Sequence, residues 1–383
     1  MIDQGQAYDP DARRDTPLAR QLKDRIRREG PLSVTEFMRL CLTDPVHGYY
    51  VRQPAIGAAA DFITAPEISQ VFGELIGLWS AVVWQQMGKP RRFNLVELGP
   101  GRGTLMVDAL RAGRIVAGFG DAADVHLIES NATLRDQQRR ALASLAPNAR
   151  WHDEAASALG CYGGVPQGPT IIIANEYLDA QPIGQWEWRG AAWHERTVGL
   201  DRDDRLVFTV REQPDGAFSP TSTTGIDPRV GEIQERNAAS SLIAKTILGQ
   251  LDDSIPFAAL FIDYGYTTSG PGETLQAVER HRFVSPLYAP GDSDITAHVD
   301  FEMFAAACRD ASPHVAIDGP VTQAEFLGAL GIMERASRLM SANPGKAAEI
   351  EAGVHRLMAV PGMGDRFKAI AVRSASLPPL PGL

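Results

Sequence analysis

An acidic residue and three glycines at alternate positions form the pattern in this sequence that could do chemistry most directly. An apolar run closed by Glu97 leads into Gly99, Gly101 and Gly103, and a segment that can begin a helix follows. This order predicts a strand, a tight turn and a helix N-terminus, which together attract a negatively charged ligand group through free N–H groups and the helix dipole. Glycine permits positive φ and close approach of a ligand to the backbone. The alternative is a turn that is purely structural.

The spacing of the glycines distinguishes between classes of ligand. The dinucleotide fingerprint G-x-G-x-x-G would place its third glycine at position 104, which is Thr104. The observed order, E-x-G-x-G-x-G, resembles the first motif of S-adenosylmethionine-dependent methyltransferases with a Rossmann-like core, in which the turn wraps the methionine end of the cofactor. NAD-linked oxidoreduction is therefore the least favoured function.

Acids also follow the next two predicted strands. Glu129 ends the apolar run 125–128, where an acid can accept hydrogen bonds from both ribose hydroxyls of a nucleoside. Its alternative role is to cap the helix that follows. Asp153 comes after a short predicted strand at 149–151 and could reach the exocyclic amine of adenine, although an Asp after a strand is usually a turn residue.

Polar and aromatic residues gather after two later strands, predicted at 169–174 and 258–262. These residues are Asn175, Glu176, Tyr177, Asp179, Asp263 and Tyr264. In open α/β sheets the ligand lies at the carboxyl ends of the strands, so we expect this group beside the reactive end of a bound cofactor. The alternative is that Asn175, Glu176 and Asp179 only cap the turn that follows the first of these strands.

A further acid, Glu67, precedes a strongly apolar helix. Thr64 and Glu67 have the spacing of a capping box, with Pro66 in the first turn. This pattern favours capping over catalysis for Glu67. A polar start before so apolar a helix can nevertheless present Glu67 to a ligand.

The elements that would position these residues form an α/β fold. Apolar runs predict seven core strands, and alternating runs between residues 185 and 212 predict an antiparallel β meander inserted into that core. A loop is expected at 213–228 and a helix at 230–251. We expect an N-terminal helical cap over residues 1–85 and a core over 86–383, with the insertion at about 183–255.

Composition narrows the class of protein. The chain has 383 residues, 44% of them hydrophobic, and no 18-residue uncharged apolar run that would suggest a membrane span. Its net charge of −10 opposes non-specific binding of nucleic acid. Three isolated cysteines show no zinc-binding spacing and, with a polar N-terminal stretch lacking a targeting signal, predict a cytoplasmic protein without a bound metal.

Five motifs together resemble the MidA family of proposed protein arginine methyltransferases, whose mitochondrial members assist assembly of respiratory complex I. The motifs are TAPEISQVFGEL at 64–75, VELGPGRGTL at 96–105, NEYLDAQP at 175–182, IDYG at 262–265 and DITAHVDF at 294–301. The resemblance implies a Rossmann-like class I methyltransferase core and S-adenosyl-L-methionine as the methyl donor. The stretch 53–60 departs from the expected pattern because it is rich in alanine.

If the acceptor is an arginine on a protein, carboxylates must orient its guanidinium, which is a poor nucleophile with a pKa above ~12. The candidates are Glu176, Asp179 and Asp263, with Glu67 from the cap, while Tyr177 or Tyr264 could pack on the guanidinium face. Two alternatives stay open. The protein could be an assembly chaperone that docks a respiratory-complex subunit through the tryptophans of the insertion, or it could methylate a small molecule.

Overall fold

The structure, a computed structural model, describes residues 8–52, 63–159, 164–212, 227–248 and 254–383. The alanine-rich stretch 53–60 lies outside these ranges. So does the predicted loop at 213–228, except for its last two residues.

The described chain contains both strands and helices. The strands are β1 (Leu32–Ser33), β2 (Phe93–Leu98), β3 (Ala123–Ile128), β4 (Arg150–His152), β5 (Thr170–Asn175), β6 (Gly184–Trp188), β7 (Trp193–Leu200), β8 (Leu206–Arg211), β9 (Ile233–Arg236), β10 (Phe257–Tyr266), β11 (Gln276–Glu279), β12 (Arg282–Val284), β13 (Asp294–Thr296), β14 (Val299–Asp300), β15 (Val315–Thr322) and β16 (Phe367–Ser374). The α-helices are α1 (Pro17–Glu29), α2 (Val34–Thr43), α3 (Tyr49–Arg52), α4 (Ala65–Ile68), α5 (Gln70–Gln86), α6 (Thr104–Gly113), α7 (Phe119–Ala122), α8 (Ala132–Leu142), α9 (Ala155–Leu159), α10 (Ala238–Leu248), α11 (Phe301–Ala311), α12 (Gln323–Ala329), α13 (Ile332–Ala342), α14 (Ala347–Met358) and α15 (Met363–Arg366). No described helix combines the length and the apolar content that crossing a bilayer would require.

The chain divides into two compact units. The antiparallel unit comprises Met1–Phe62, Asp179–Ser240 and Thr268–Asp300, and the parallel-sheet unit comprises Ile63–Leu178, Ser241–Thr267 and Phe301–Leu383. This division differs from the boundaries expected at residues 85 and 183–255. The reason at the first boundary is that α5 buries its apolar side chains in one core with β2 and β5, so it belongs with the sheet and not with a separate cap.

The parallel-sheet unit is built on strands in the order β15-β16-β10-β5-β2-β3-β4. The five strands from β10 to β4 run parallel, and β16 runs antiparallel between β10 and β15. The central strands β2 and β5 are buried along their whole length, as strands covered on both faces should be. Because Leu98 pairs with both Ile128 and Ala174, the residues that follow β2, β3 and β5 emerge at one edge of the sheet.

Helix α6 is fixed by close packing against α5. A Cβ atom added to Gly77 would lie 2.2 Å from the carbonyl oxygen of Ala109, and one added to Gly73 would lie 2.7 Å from Cβ of Asp108. Two helices can approach this closely only where one of them lacks side chains. This contact fixes the position of α6 against α5 and therefore the position of its N-terminus at Thr104.

The antiparallel unit contains the predicted meander. Strands β6, β7 and β8 pair in sequence, β1 joins β7, β9 joins β6, and a second small sheet has the order β12-β11-β13. The helix predicted at 230–251 is wrong in its first part, where residues Ile233–Arg236 form β9. Pairing with β6 supplies hydrogen bonds to this backbone, and the helix α10 starts only at Ala238.

Two histidines stack on the neighbouring strands β3 and β4. His126 is fully buried, its Nδ1 lies 3.0 Å from Nε2 of His152, and the ring centroids are 5.2 Å apart. Within the described ranges, Nε2 of His126 has no hydrogen-bond partner. Burial, followed by the nearby His152 and Arg150, lowers the pKa of His126 to about 4.

We expect acid to destabilise the protein through His126. An unfolded histidine gains its proton near pH 6.5 whereas folded His126 does not, so the free energy of unfolding should fall as the pH drops below about 6.5 and level off near 4. The loss due to this residue should be on the order of 2 kcal/mol. Urea unfolding between pH 7 and 4 should show this slope in the wild type and a shallower one in His126→Leu. Parallel profiles for the two proteins would contradict the assignment.

Candidate functional site

The glycine turn has the backbone geometry that its sequence predicts. Gly99, Gly101 and Gly103 have φ values of 61°, 52° and 84°. Gly103 caps the N-terminus of α6 in the left-handed region, and its N–H donates to the carbonyl of Pro100 at 2.7 Å. The turn therefore directs the start of a ten-residue helix toward the edge of the sheet at which β2, β3 and β5 end.

The ring of Tyr177 lies against this turn. A Cβ atom added to Gly99 would be 2.9 Å from Cδ2 of Tyr177. Burial, followed by the charges of Glu129 and Glu154, raises the pKa of Tyr177 to about 12, so its hydroxyl stays protonated at neutral pH. Gly99 is thus required twice, for its positive φ and for the contact with this ring.

Two buried acceptor atoms near the turn lack donors within the described ranges. They are Oε2 of Glu97 and Oδ1 of Asn175, on the neighbouring strands β2 and β5. Glu97 is only 3% exposed, and its burial, followed by the charge of Glu129, raises its pKa to about 8. Buried polar atoms in native proteins nearly always have partners. This pair is therefore suited to a ligand that brings a positively charged or hydrogen-bond-donating group.

Glu129 lies at the tip of β3 as predicted and is tied to the glycine turn through Gln138. Its carboxylate accepts the Asn131 N–H at 2.8 Å and the Gln138 side-chain amide at 3.5 Å. The same amide group donates to the carbonyl of Gly101 at 2.6 Å, while Trp151 donates to Oε1 of Gln138 at 2.8 Å. Burial raises the pKa of Glu129.

Gln138 was not identified from the sequence. It is fully buried on α8, on the same helical stripe as Leu134 and Leu142. A polar residue at a position where the helical period requires an apolar one was the available signal. Such a residue has to find its partners inside the protein.

Asp263, at the tip of β10, holds the loop that follows β5. Its carboxylate accepts backbone N–H groups from Tyr177 at 3.1 Å, Leu178 at 2.8 Å and Tyr264 at 2.9 Å, and the residue is 1% exposed. A carboxylate with three backbone donors fixes the chain around it. The geometry shows Asp263 holding the loop after β5, a role that was not foreseen for it from the sequence.

Glu176 adopts a strained backbone conformation in the same loop. Its φ is 52°, which is uncommon for a residue other than glycine. The carboxylate Oε1 accepts the N–H of Ala65 at 2.8 Å and the side-chain amide of Asn175 at 3.1 Å. Glu176 therefore connects the tip of β5 to the first residue of α4.

Glu67 does not form the predicted capping box. Thr64 is the N-cap of α4 by its backbone, but its side chain makes no capping hydrogen bond. The Glu67 carboxylate instead accepts the hydroxyl of Thr104, and its Oε2 lies 3.4 Å from Nη1 of Arg102. The expectation that capping accounts for Glu67 is wrong because the carboxylate is turned away from its own helix and toward the glycine turn.

The remaining three predicted residues are Asp153, Tyr264 and Asp179. Asp153 is exposed and ion-paired with Arg135, and Tyr264 packs edge-on against Phe367 with ring centroids 5.4 Å apart. Asp179 is the first residue of its segment of the antiparallel unit, where it is buried and its carbonyl accepts the Ala297 N–H at 3.0 Å. Within the described ranges, no group of three or more His, Cys, Asp or Glu residues could hold a metal ion.

Comparisons with known proteins agree on one family. Residues 75–321 match the family described as "Putative S-adenosyl-L-methionine-dependent methyltransferase". The chain is 34% identical over 372 residues to "Protein arginine methyltransferase NDUFAF7, mitochondrial" from Danio rerio, covering 93% of this chain and 86% of that one. The Homo sapiens protein of the same name is 33% identical over 383 residues, covering 93% and 83%.

Two solved structures share the fold. A superfamily member from Burkholderia thailandensis bound to S-adenosyl-homocysteine has a TM-score of 0.81 and 25% identity, with 97% of each chain covered. A native structure from the same organism has a TM-score of 0.80 at the same identity. The α/β fold expected from the sequence is thereby confirmed, and its sheet is mixed.

The predicted cytoplasmic location is wrong by these comparisons. The names of the relatives from Danio rerio, Mus musculus and Homo sapiens place those proteins in mitochondria. The cysteine pattern and the polar N-terminal stretch, on which the prediction rested, do not report the compartment.

We expect Gly99→Ala to destabilise the protein by roughly 2–4 kcal/mol, since it adds both positive-φ strain and a clash with Tyr177. Gly88→Ala is the matched control, because Gly88 has φ +85° but nothing within 4 Å of an added Cβ. It should cost only about 1–2 kcal/mol. Chemical unfolding measures both values. An equal loss in the two variants would show that the Tyr177 contact is not a constraint.

Proposed function

Because the chain belongs to the family of S-adenosyl-L-methionine-dependent methyltransferases, we propose that it methylates arginine side chains of a protein partner. S-adenosyl-L-methionine is the cofactor. The relatives' name, protein arginine methyltransferase, supports an arginine acceptor. The observation that carries the proposal is the Glu67 carboxylate, which leaves its own helix to face the glycine turn.

The residues around the turn fit the cofactor. The unpartnered Oε2 of Glu97 and Oδ1 of Asn175 suit its amino group, and the glycine turn with the N-terminus of α6 suits its carboxylate. Glu129 is the candidate for the ribose hydroxyls. The assignment of Asp153 to adenine stays a prediction, which its exposed ion pair with Arg135 does not favour.

The cofactor supplies a methyl group on a sulfonium, so the protein's task is to align the acceptor and exclude water. A guanidinium has a pKa above ~12 and is a poor nucleophile, and a carboxylate that binds it side-on can orient the attacking nitrogen. We infer that Glu67 is the carboxylate closest to this task. Glu176 and Asp263 act as positioning residues, because their carboxylates hold α4 and the loop after β5.

The finer description of the fold belongs to the same proposal. We infer a seven-stranded class I methyltransferase core, which the strand path from β15 to β4 supports. The N-terminal helical cap is supported only for α1 and α2, whose apolar faces share a core with β7 and β13.

The nature of the partner rests on the sequence resemblance. The MidA-like motifs support a subunit of respiratory complex I as the acceptor protein. The chaperone alternative relied on the tryptophans of the insertion. Trp188 and Trp193 are direct partners across the β6–β7 hairpin, with ring centroids 5.6 Å apart, so packing within the hairpin accounts for this pair.

We expect cofactor binding to release a proton from Glu97. The free carboxyl, with a pKa of about 8, is mostly neutral at pH 7, and an amino group placed beside it would favour the carboxylate. The complex then holds fewer protons than the free protein, so affinity for S-adenosylhomocysteine should rise between pH 6 and 8 and level off above. Calorimetry in buffers of different ionisation enthalpy should find up to one proton released per ligand in the wild type and none in Glu97→Gln. Equal release from both proteins would contradict the role of Glu97.

The acceptor is tested by incubating the protein with tritiated S-adenosyl-L-methionine and the cognate complex I subunit. We expect label in the subunit, recovered as methylarginine after hydrolysis. The variant Glu176→Gln, Asp179→Asn should lose most of this transfer while still binding S-adenosylhomocysteine. Asp136→Asn, an exposed acid paired with Arg139, is the control and should be fully active.

Other results of this experiment point elsewhere. A stable complex without label would support the chaperone. Label confined to small molecules of a cell extract would support a small-molecule methyltransferase. Unchanged methylation by the double variant would show that transfer needs neither Asp179 nor the positioning of α4 by Glu176.

A further inference from the structure

The ion pair between Arg102 and Glu67 is unusually loose for its surroundings. A single nitrogen, Nη1 of Arg102, lies 3.4 Å from Oε2 of Glu67. Two other arginines of the parallel-sheet unit make closer pairs, Arg335 with Glu74 at 2.7 Å and Arg111 with Asp108 at 2.9 Å. A guanidinium paired side-on with a carboxylate makes two bonds of about 2.7–2.9 Å. Arg102 therefore occupies only part of the hydrogen-bonding capacity of the Glu67 carboxylate.

Glu67 is held rigidly, so the loose pair does not reflect a mobile carboxylate. Its Oε1 accepts the hydroxyl of Thr104 at the start of α6. The helix that carries Glu67 is fixed at its first residue, where Glu176 accepts the Ala65 N–H at 2.8 Å. At its other end, a Cβ added to Gly353 would lie 2.9 Å from the carbonyl of Ile68. The carboxylate is thus presented in a set orientation with Oε2 directed at a cation.

The two partners differ in exposure. The side chain of Glu67 is 15% exposed and that of Arg102 is 48% exposed. A carboxylate that is mostly withdrawn from water needs a cation or donors nearby. A half-exposed guanidinium loses little when it returns to water, because such pairs contribute little free energy. The acid therefore has to stay paired, whereas the arginine does not.

We propose that Arg102 is an internal placeholder, whose guanidinium neutralises Glu67 until the guanidinium of an acceptor arginine displaces it. This inference rests on the proposed arginine acceptor. An incoming guanidinium that pairs side-on with Glu67 would make shorter bonds than Arg102 makes now. Arg102 lies between Gly101 and Gly103, in the turn proposed to face the cofactor. When its side chain is displaced from Glu67, it therefore moves into the space beside this turn.

The proposed role of Arg102 explains two features that the stability of the local fold does not require. A capping box would satisfy Glu67 within its own helix, yet the carboxylate reaches Thr104 and Arg102. Arg102 also occupies a turn position at which the backbone geometry depends on the flanking glycines and not on its side chain. Local structure thus requires neither the orientation of the Glu67 carboxylate nor an arginine at position 102, and both serve the contact between these two side chains.

The test uses N-acetyl-arginine methylamide as a probe for the full-length protein saturated with S-adenosylhomocysteine. Its affinity is measured by ligand-observed NMR titration. Arg102→Met keeps the aliphatic stem and removes the competing charge, so it should tighten probe binding about three- to fivefold, the scale of a weak ion pair. The matched control is Arg111→Met, whose side chain is 49% exposed and paired with Asp108. It should leave probe affinity unchanged.

Glu67→Gln completes the design. Glutamine retains an oxygen for the Thr104 hydroxyl but carries no charge, so probe affinity should fall at least about tenfold with or without Arg102→Met. N-acetyl-lysine methylamide should bind more weakly than the arginine probe, because it cannot pair side-on. Thermal unfolding and affinity for S-adenosylhomocysteine, measured for each variant, show that the fold and the cofactor site are intact.

Three results would overturn the proposal. Unchanged or weaker probe affinity in Arg102→Met would show that Arg102 does not compete. Probe affinity insensitive to Glu67→Gln would show that Glu67 is not the guanidinium site. Weaker binding of S-adenosylhomocysteine by Arg102→Met, without tighter probe binding, would assign Arg102 to the cofactor carboxylate. The titration measures binding and not methyl transfer. A wrong assignment of the arginine acceptor would therefore be detected by the labelling experiment, and a wrong role for Arg102 by the titration.

Discussion

Helix α6 approaches α5 so closely at Gly77 that an added Cβ atom would fall 2.2 Å from the Ala109 carbonyl oxygen. The rest of the site depends on this contact, because it fixes the helix whose N-terminus carries Gly103 and Thr104. At Gly99 the same device, a missing side chain, admits the ring of Tyr177. The turn can then receive a ligand on one side while its neighbours hold it on the others. Glycine serves here as a requirement of packing as much as of backbone conformation.

The acidic residues around the turn have different roles, which their hydrogen-bond partners indicate. Asp263 accepts three backbone N–H groups and is therefore committed to holding the chain. Glu97 is as deeply buried but has an oxygen without a donor in the described structure, so it is available to a ligand. Glu67 has one firm partner and one distant cation. A carboxylate's supply of donors, more than its burial, thus indicates whether it supports the fold or faces a ligand.

Local sequence patterns predicted those features that depend on residues close together in the chain. The glycine turn, the strand before it and the position of Glu129 all follow from alternating glycines and short apolar runs. The roles of Gln138 and Glu67 depend on residues far along the chain, Gly101 and Thr104, so no short window contains them. The helix expected at 230–251 failed for the same reason, because pairing with the distant strand β6 made residues Ile233–Arg236 a strand. The division into units also differs from the expected boundaries, since distant segments of the chain build each unit together.

Asn175 links the proposed cofactor site to the helix that carries Glu67. One end of its amide, Oδ1, is the unpartnered acceptor near Glu97, and the other end donates to Glu176 at 3.1 Å. Glu176 in turn holds the first residue of α4, the helix that carries Glu67. A ligand group that bonds to Oδ1 restrains the amide and therefore the carboxylate that positions α4. Because Glu176 is held at a φ of 52°, this link is under backbone strain and is maintained by its hydrogen bonds. The proposed cofactor site and the helix that carries Glu67 are therefore coupled through Asn175 and Glu176, so a ligand bound at Oδ1 should further restrain α4.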